Sequence, residues 1–170
     1  MRVSDTKQMP LHSSTQEAGP LMLQAFAWDM TPDASHWRYL AQHAQAIADL
    51  GVTIIWLPPA YKGNFGLDDV GYGVYDLYDL GEFDQKGTIP TKYGTKDEYL
   101  AAIDALHEAG IAVCADIVLN HRMGADATET VRATPINPQD RHQALGDPET
   151  IQAWTRFTFP GRGGAYSDFT

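Results

Sequence analysis

The chain has a single cysteine, Cys114, in 170 residues. One thiol excludes an intramolecular disulfide framework and a multi-cysteine zinc site. Cys114 lies in an apolar run and reads as a small core residue. Basic residues are also scarce: 12 Lys plus Arg stand against 22 Asp plus Glu, for a net charge of −10. That balance argues against nucleic acid or an anionic membrane surface as partner, because both require a basic patch. No run of about 18 apolar residues occurs, so no membrane-spanning helix is expected. The first 20 residues, MRVSDTKQMPLHSSTQEAGP, hold no apolar stretch of secretory length, and a cytoplasmic location is the expectation. There is no GxGxxG after a strand, no GxxxxGK(S/T) and no HExxH, which disfavours dinucleotide, phosphate and zinc-hydrolase chemistry.

What is present is a core-forming composition, 44% hydrophobic and 20% charged, arranged in alternating patterns. Residues 1–20 read as a flexible lead-in. Leu21–Trp28 is a short apolar run suited to a buried strand. Pro32–Ser35 offers turn and N-cap chemistry, and Trp37, Leu40, Ala44, Ile47 and Leu50 follow at helical spacing up to Gly51. Val52–Leu57 is β-branched and closed by Pro58-Pro59. Strand, helix and strand with short connections make a βαβ unit. The 37-residue stretch 58–94 is far longer than an ordinary connection, and it is too aromatic for disorder. Thr95 and Glu98 form a capping box for a second helix, with Leu100, Ile103 and Leu106 as its buried face. Ile111–Leu119 is the third strand, with Asn120-His121-Arg122 at its end. Beyond it the pattern dissolves into polar turns, with a short helix expected near 147–157. Alternating β and α predicts a parallel sheet or barrel, whose chemistry sits at the carboxyl ends of the strands.

Two clusters at that rim carry chemistry. In a strand through DIVLNH, Asp116, Val118 and Asn120 share one face. A buried Asp116 needs a partner, and an arginine or a metal would serve. Asn120 offers the hard carbonyl oxygen that calcium prefers, and His121 a hydrogen bond for a substrate hydroxyl. The plainer reading is that Asn120 and His121 cap a turn. In VGYGVYDLYDLGEF, Tyr72 stands between two glycines that would expose its ring for stacking on a sugar. Tyr75, Tyr78 and Phe83 read instead as a core layer beneath the loop.

LMLQAFAWDM, PPAYKG, DVGYGVYDLYDLGEFDQKGT, TKYGT, DIVLNHR, GADATE and FPGRGGAYSDF occur in this order between Leu21 and Thr170. Together they resemble the bacterial liquefying and cytoplasmic α-amylases of glycoside hydrolase family 13. The resemblance implies an α/β fold: the N-terminal part of a (β/α)8 TIM barrel, its first three strands, plus the start of an inserted domain B. Residues 21–122 would be the partial barrel and 123–170 the opening of domain B. The resemblance assigns Asn120 to a structural calcium ion whose remaining ligands are expected downstream. It assigns His121 and Tyr72 to the sugar at the cleavage point, and Asp116 to the support of an arginine on the fourth strand. It implies endo-hydrolysis of α-1,4-glucosidic bonds in starch- or glycogen-like glucans with retention. That chemistry needs a nucleophilic carboxylate and a protonated one. The family takes both from later strands, so both are expected beyond Thr170. No acid in this chain is assigned either role, and the 170 residues alone are expected to be inactive. Two departures stand out: Ala27-Trp28-Asp29 replaces a common Glu-Trp-Tyr, and Arg122 stands where relatives often carry Lys.

The partner implied is an α-glucan or maltooligosaccharide. The alternative is a complete, non-catalytic glucan-binding half-barrel acting as an oligomer. Relatives that act on α-1,6 bonds or transfer glucosyl units form a third possibility, against which the GYGVYDLYDLGEF and FPGRGGAYSDF blocks weigh.

Overall fold

A computed structural model describes residues 19–167. Most of the expected lead-in, and the end of the expected domain B opening at Thr170, lie outside the described residues. Three short strands, β1 (Met22–Gln24), β2 (Ile54–Leu57) and β5 (Ala112–Ala115), form a parallel sheet in the order β1-β2-β5. Helix α1 (His36–Asp49) joins the first two strands, and α2 (Lys96–Glu108) precedes the third. Both helices lie on one face of the sheet. Ile55 and Leu57 of β2 point into that layer with Trp37, Leu40, Ala44, Ala102 and Leu106. Residues of the other parity, Met22, Ile54, Trp56 and Cys114, turn to the opposite face. Among the described residues that face carries no covering layer. Cys114 is therefore exposed rather than a core residue.

Each strand is shorter than its apolar run. Leu21–Trp28 pairs only over Met22–Gln24, and Val52–Leu57 only from Ile54. The third run stops early because its partner strand runs out of donors. The register ends at Leu57↔Ala115. Pro58 and Pro59 follow β2, and proline has no N–H to donate to a ladder. Asp116 N–H donates to Leu57 O at 3.2 Å, and Val118 N–H goes to the Tyr61 hydroxyl at 2.8 Å instead. Asp116 thus sits just past the strand, and the shared strand face expected for Asp116, Val118 and Asn120 does not exist.

The helices keep most of their expected faces. Gly51 ends the first at φ +87°, the left-handed region that favours glycine. Leu50 lies past the last turn and is 78% exposed. In α2 the capping box forms as expected. Its buried stripe runs through Tyr99, Ala102 and Leu106, where Tyr99 tilts against Trp37 at 4.9 Å. That rotation leaves Leu100 45% exposed and Ile103 half-buried.

The segment 58–94 is ordered by buried polar groups. Strands β3 (Lys62–Gly63) and β4 (Val74–Asp76) pair antiparallel, with a 3-10 turn at Gly66–Asp68 between them. Lys62, Asp76, Asp79 and Gln85 are buried beside Arg162 from the 3-10 turn Pro160–Arg162. Lys62 Nζ donates to the carbonyls of Phe83, Thr88 and Ile89 and lies 3.6 Å from Asp79. Burial pushes the Lys62 ammonium below the usual lysine range, and Asp79 opposes the shift. Gln85 Nε2 donates to both Asp76 and Asp79, and Arg162 Nε to Asp76 at 3.0 Å. Tyr75 joins this core as expected, whereas Tyr78 is partly exposed and Phe83 half-buried.

Beyond residue 123 the chain is stranded rather than irregular. Strands β6 (Ala127–Ala133) and β9 (Glu149–Arg156) form an antiparallel ribbon enclosing a smaller pair, β7 (Ile136–Asn137) and β8 (Asp140–Ala144). The short helix expected near 147–157 is thus β9. Its Thr, Ile and Trp suit a strand. Both faces of the ribbon are largely exposed, which removes the period-2 hydrophobic signal.

Removing one member of a buried ion pair leaves the other uncompensated. An Arg162→Ala variant is expected to lose about 3–5 kcal/mol of stability, read by urea denaturation. A loss below about 1 kcal/mol, the range of an exposed pair, would rule out this role for the Asp76–Arg162 contact.

Candidate active site

Tyr72 is placed by the backbone on either side of it. Gly71 has φ +99°, and a Cβ there would meet Pro59 Cβ at 2.5 Å. A Cβ on Gly73 would collide with Asp69 Oδ2. The two glycines therefore permit close approach to Pro59 and Asp69, more than they expose the ring. Asp69 is buried and accepts from the N–H groups of Phe65, Gly71 and Gly73 at 3.2, 2.8 and 3.1 Å. One carboxylate thus fixes both arms of the turn carrying Tyr72.

The Tyr72 hydroxyl donates to Asp116 Oδ2 at 2.8 Å. This contact gives half-buried Asp116 a partner among the described residues, the Tyr72 phenol. Burial, and then the hydrogen bond to Asp116, push the Tyr72 phenol up to about 12. His121 Nε2 lies 2.9 Å from Tyr72 O, and Asn120 Nδ2 lies 3.2 Å from His121 Nδ1. A carbonyl only accepts and an amide nitrogen only donates. These partners assign the neutral tautomer with Nε2 protonated. The four residues singled out in the sequence form one hydrogen-bonded chain, Asn120–His121–Tyr72–Asp116. Asn120 and His121 are exposed on the segment after β5, and both ring nitrogens of His121 are engaged. A substrate hydroxyl would have to replace one of these bonds.

Sequence reasoning assigned no role to Trp28, yet its ring lies nearly parallel to Tyr72, 8° between planes and 6.0 Å between centroids. It also passed over Asp69, whose signal was the glycines at 63, 71 and 73 around a single carboxylate. Among the described residues no three His, Cys, Asp or Glu side chains gather as a metal cluster, and no helix is long and apolar enough to cross a membrane. Thr170, past which the nucleophile and general acid are expected, itself lies outside the described residues.

The family description "Alpha amylase, catalytic domain" matches residues 25–143. The chain belongs to the α-amylase family. The parallel sheet and its two helices are accordingly the N-terminal part of a (β/α)8 barrel. The chain is 55% identical over 148 residues to an α-amylase of Geobacillus stearothermophilus, covering 87% of this chain and 27% of that protein. It is 51% identical over 150 residues to the cytoplasmic α-amylase of Escherichia coli strain K12, covering 88% and 30%. Among solved structures, truncated alternansucrase from Leuconostoc mesenteroides is similar at 30% identity with a TM-score of 0.64, covering 79% of this chain and 13% of that one. The chain therefore spans less than a third of the length of these relatives.

The Asp116 contact is directly testable. In an Asp116→Asn variant the Tyr72 phenol is expected to ionise below about 12, while burial holds it above an ordinary tyrosine. NMR titration of ring-labelled tyrosine reads the shift, and an unmoved Tyr72 curve would contradict the contact.

Proposed function

We propose that this chain supplies the first three strands and first two helices of the barrel of an α-amylase, and over 123–170 the opening of its domain B. The enzyme cleaves α-1,4-glucosidic bonds of starch- or glycogen-like glucans with retention. The observation that carries this reading is the Asn120–His121–Tyr72–Asp116 chain at the carboxyl ends of a parallel sheet, in a member of this family. The names of the relatives support the reaction, and one solved relative is a complex of alternansucrase with isomaltotriose. The cytoplasmic relative supports a cytoplasmic location.

On this reading the geometry supports a role for each residue. Asp116 holds the Tyr72 hydroxyl and fixes the ring. The ring offers an apolar face to a glucosyl unit. His121, held against the backbone of Tyr72, is placed to exchange a bond with a sugar hydroxyl. Asp69 and Asp116, the carboxylates bonded to the Tyr72 turn, are committed to backbone amides and to the phenol. On this reading the nucleophile and the general acid come from strands beyond Thr170.

Calcium takes six to eight oxygen ligands. The described residues fit one ligand of such a site and no more. Asn120 is exposed, and its Oδ1 has no hydrogen-bond partner among the described residues. Asn120 would lend this one oxygen to a site completed by other groups. In the full-length protein calcium should raise the melting temperature, and Asn120→Ala should shrink that rise. An equal rise in both would exclude Asn120 as a ligand.

The function is tested on the chain itself with maltoheptaose. Calorimetry should show binding that Tyr72→Ala weakens about tenfold, roughly the worth of one well-placed aromatic contact. No reducing sugar should be released from starch. Unchanged affinity in the variant, or hydrolysis by the chain, would overturn the corresponding part of the reading.

A further inference from the structure

The segment after β5 leaves the sheet on a hydroxyl from another loop. Ala112 N–H donates to Thr53 O at 2.9 Å and Asp116 N–H to Leu57 O at 3.2 Å. In this register the next rung of the parallel ladder would take Val118 N–H to Pro59. That rung does not form. The Tyr72 turn packs on Pro59 instead: a Cβ on Gly71 would lie 3.0 Å from Pro59 O. Val118 N–H goes to the Tyr61 hydroxyl at 2.8 Å. Burial raises the Tyr61 phenol above the usual tyrosine range, against the pull of Val118 N–H, so it stays a neutral hydroxyl at neutral pH. Three bonds then guide the chain past Tyr72: Val118 to Tyr61, His121 Nε2 to Tyr72 O at 2.9 Å, and Met123 N–H to Val74 O at 2.6 Å. The first acts ahead of Asn120 and His121. Ile117 and Leu119 on either side of it are 61% and 79% exposed, so packing holds the segment little.

We infer that Tyr61 is a positioning residue for glucan binding: its hydroxyl takes over the rung that Pro59 yields to the Tyr72 turn, and so sets where Asn120 and His121 stand relative to Tyr72. This rests on the glucan reading above and adds to it a residue that touches no sugar. Tyr61 is only 4% exposed, and it acts through the backbone of Val118. The stretch 59–61 joins the two halves of the site. Pro59 receives Gly71 of the Tyr72 turn, and Tyr61, two residues on, receives the segment that carries His121. The hydroxyl is the part that matters for this role. Phenylalanine would fill the same space and leave Val118 N–H without its acceptor.

Tyr61→Phe in the full chain is the test. NMR of 15N-labelled histidine reads the His121 ring, because each tautomer has its own pair of nitrogen shifts. In the wild type the form protonated on Nε2 should dominate. In Tyr61→Phe the two tautomers should mix, and maltoheptaose affinity, read by calorimetry, should fall about fivefold, roughly the worth of one hydrogen bond. Tyr75→Phe is the comparison. It also removes a phenol's hydrogen bond, to Asp126 at 2.7 Å, and should lower the melting temperature without moving His121. A Tyr61→Phe variant that melts earlier with His121 unmoved, or a Tyr75→Phe variant that moves His121 equally, would make Tyr61 a core residue only. Mixed tautomers with unchanged affinity would overturn its role in binding. Should Tyr61→Phe fail to fold, an ester at position 118, made with the α-hydroxy acid analogue of Val118, removes the same bond from its other end, with the same outcomes. A wild type that binds no maltoheptaose overturns the glucan reading, and the His121 spectrum then still decides whether Tyr61 sets its place.

Discussion

The structure turns on a lysine with no access to water. Lys62 lies beneath the segment between β2 and α2, and its ammonium is met by three carbonyls and by Asp79. Taking charges out of water costs several kcal/mol each unless hydrogen bonds and opposite charges replace the hydration. Here they do. Asp79 also accepts from the N–H groups of Gly81, Glu82 and Phe83, Gln85 bridges it to Asp76, and Arg162 completes the set from 77 residues beyond Gln85 (162 minus 85). The charges of this network are met, whereas Gln85 Oε1 and Arg162 Nη2 are buried without a hydrogen-bond partner among the described residues. The network fastens a segment that has little regular structure, and it fastens the 3-10 turn Pro160–Arg162 to the same place.

That fixed base explains the site above it. Tyr72 and Phe65 do not rest on a sheet; they rest on a turn whose amides converge on Asp69. Neighbouring carboxylates serve different ends because their surroundings differ. Asp69, Asp76 and Asp79 are buried and spend their oxygens on the fold. Asp126 does similar work at the edge: burial acts to raise its carboxyl, but hydrogen bonds from Thr158, Tyr75 and Phe159 outweigh that and hold it below the usual range. Asp116 is half-buried and, in the proposed reading, faces the substrate side through Tyr72, where it orients a ring rather than a backbone.

Local signals were legible in the sequence wherever their cause was local. The Thr95–Glu98 capping box and the stop at Gly51 depend on a few neighbouring atoms, and both formed as expected. The βαβ order followed from hydrophobic runs of distinct period. What misled was anything decided by a distant partner. The length of β5 was set by the prolines after β2, the exposure of Cys114 by which face of the sheet the helices cover, and the β6–β9 ribbon by pairing across about twenty residues with little burial. At the site, the four residues were readable as chemistry, but their order was not. That Asp116 would meet a phenol 44 positions away is a fact of tertiary geometry.

In the proposed glucan reading, the site also divides by rigidity in a way that suits a sugar. A glucosyl ring offers an apolar face of fixed shape and hydroxyls that rotate. The surface that would meet the face, Tyr72, stands on a turn held by a buried carboxylate. The groups that would meet hydroxyls, Asn120 and His121, are exposed beyond the end of β5 and bonded to one another. Stacking needs a wall that does not yield, since a gap of about 0.5–1 Å already forfeits a quarter to a half of its contact energy. Hydrogen bonding to a rotatable hydroxyl needs a partner that can adjust, and His121 can exchange a carbonyl for a ligand without disturbing a core. The buried charges under the loop and the exposed histidine beside it are thus two halves of one arrangement, in which the cost of ordering the wall is met during folding and not on binding.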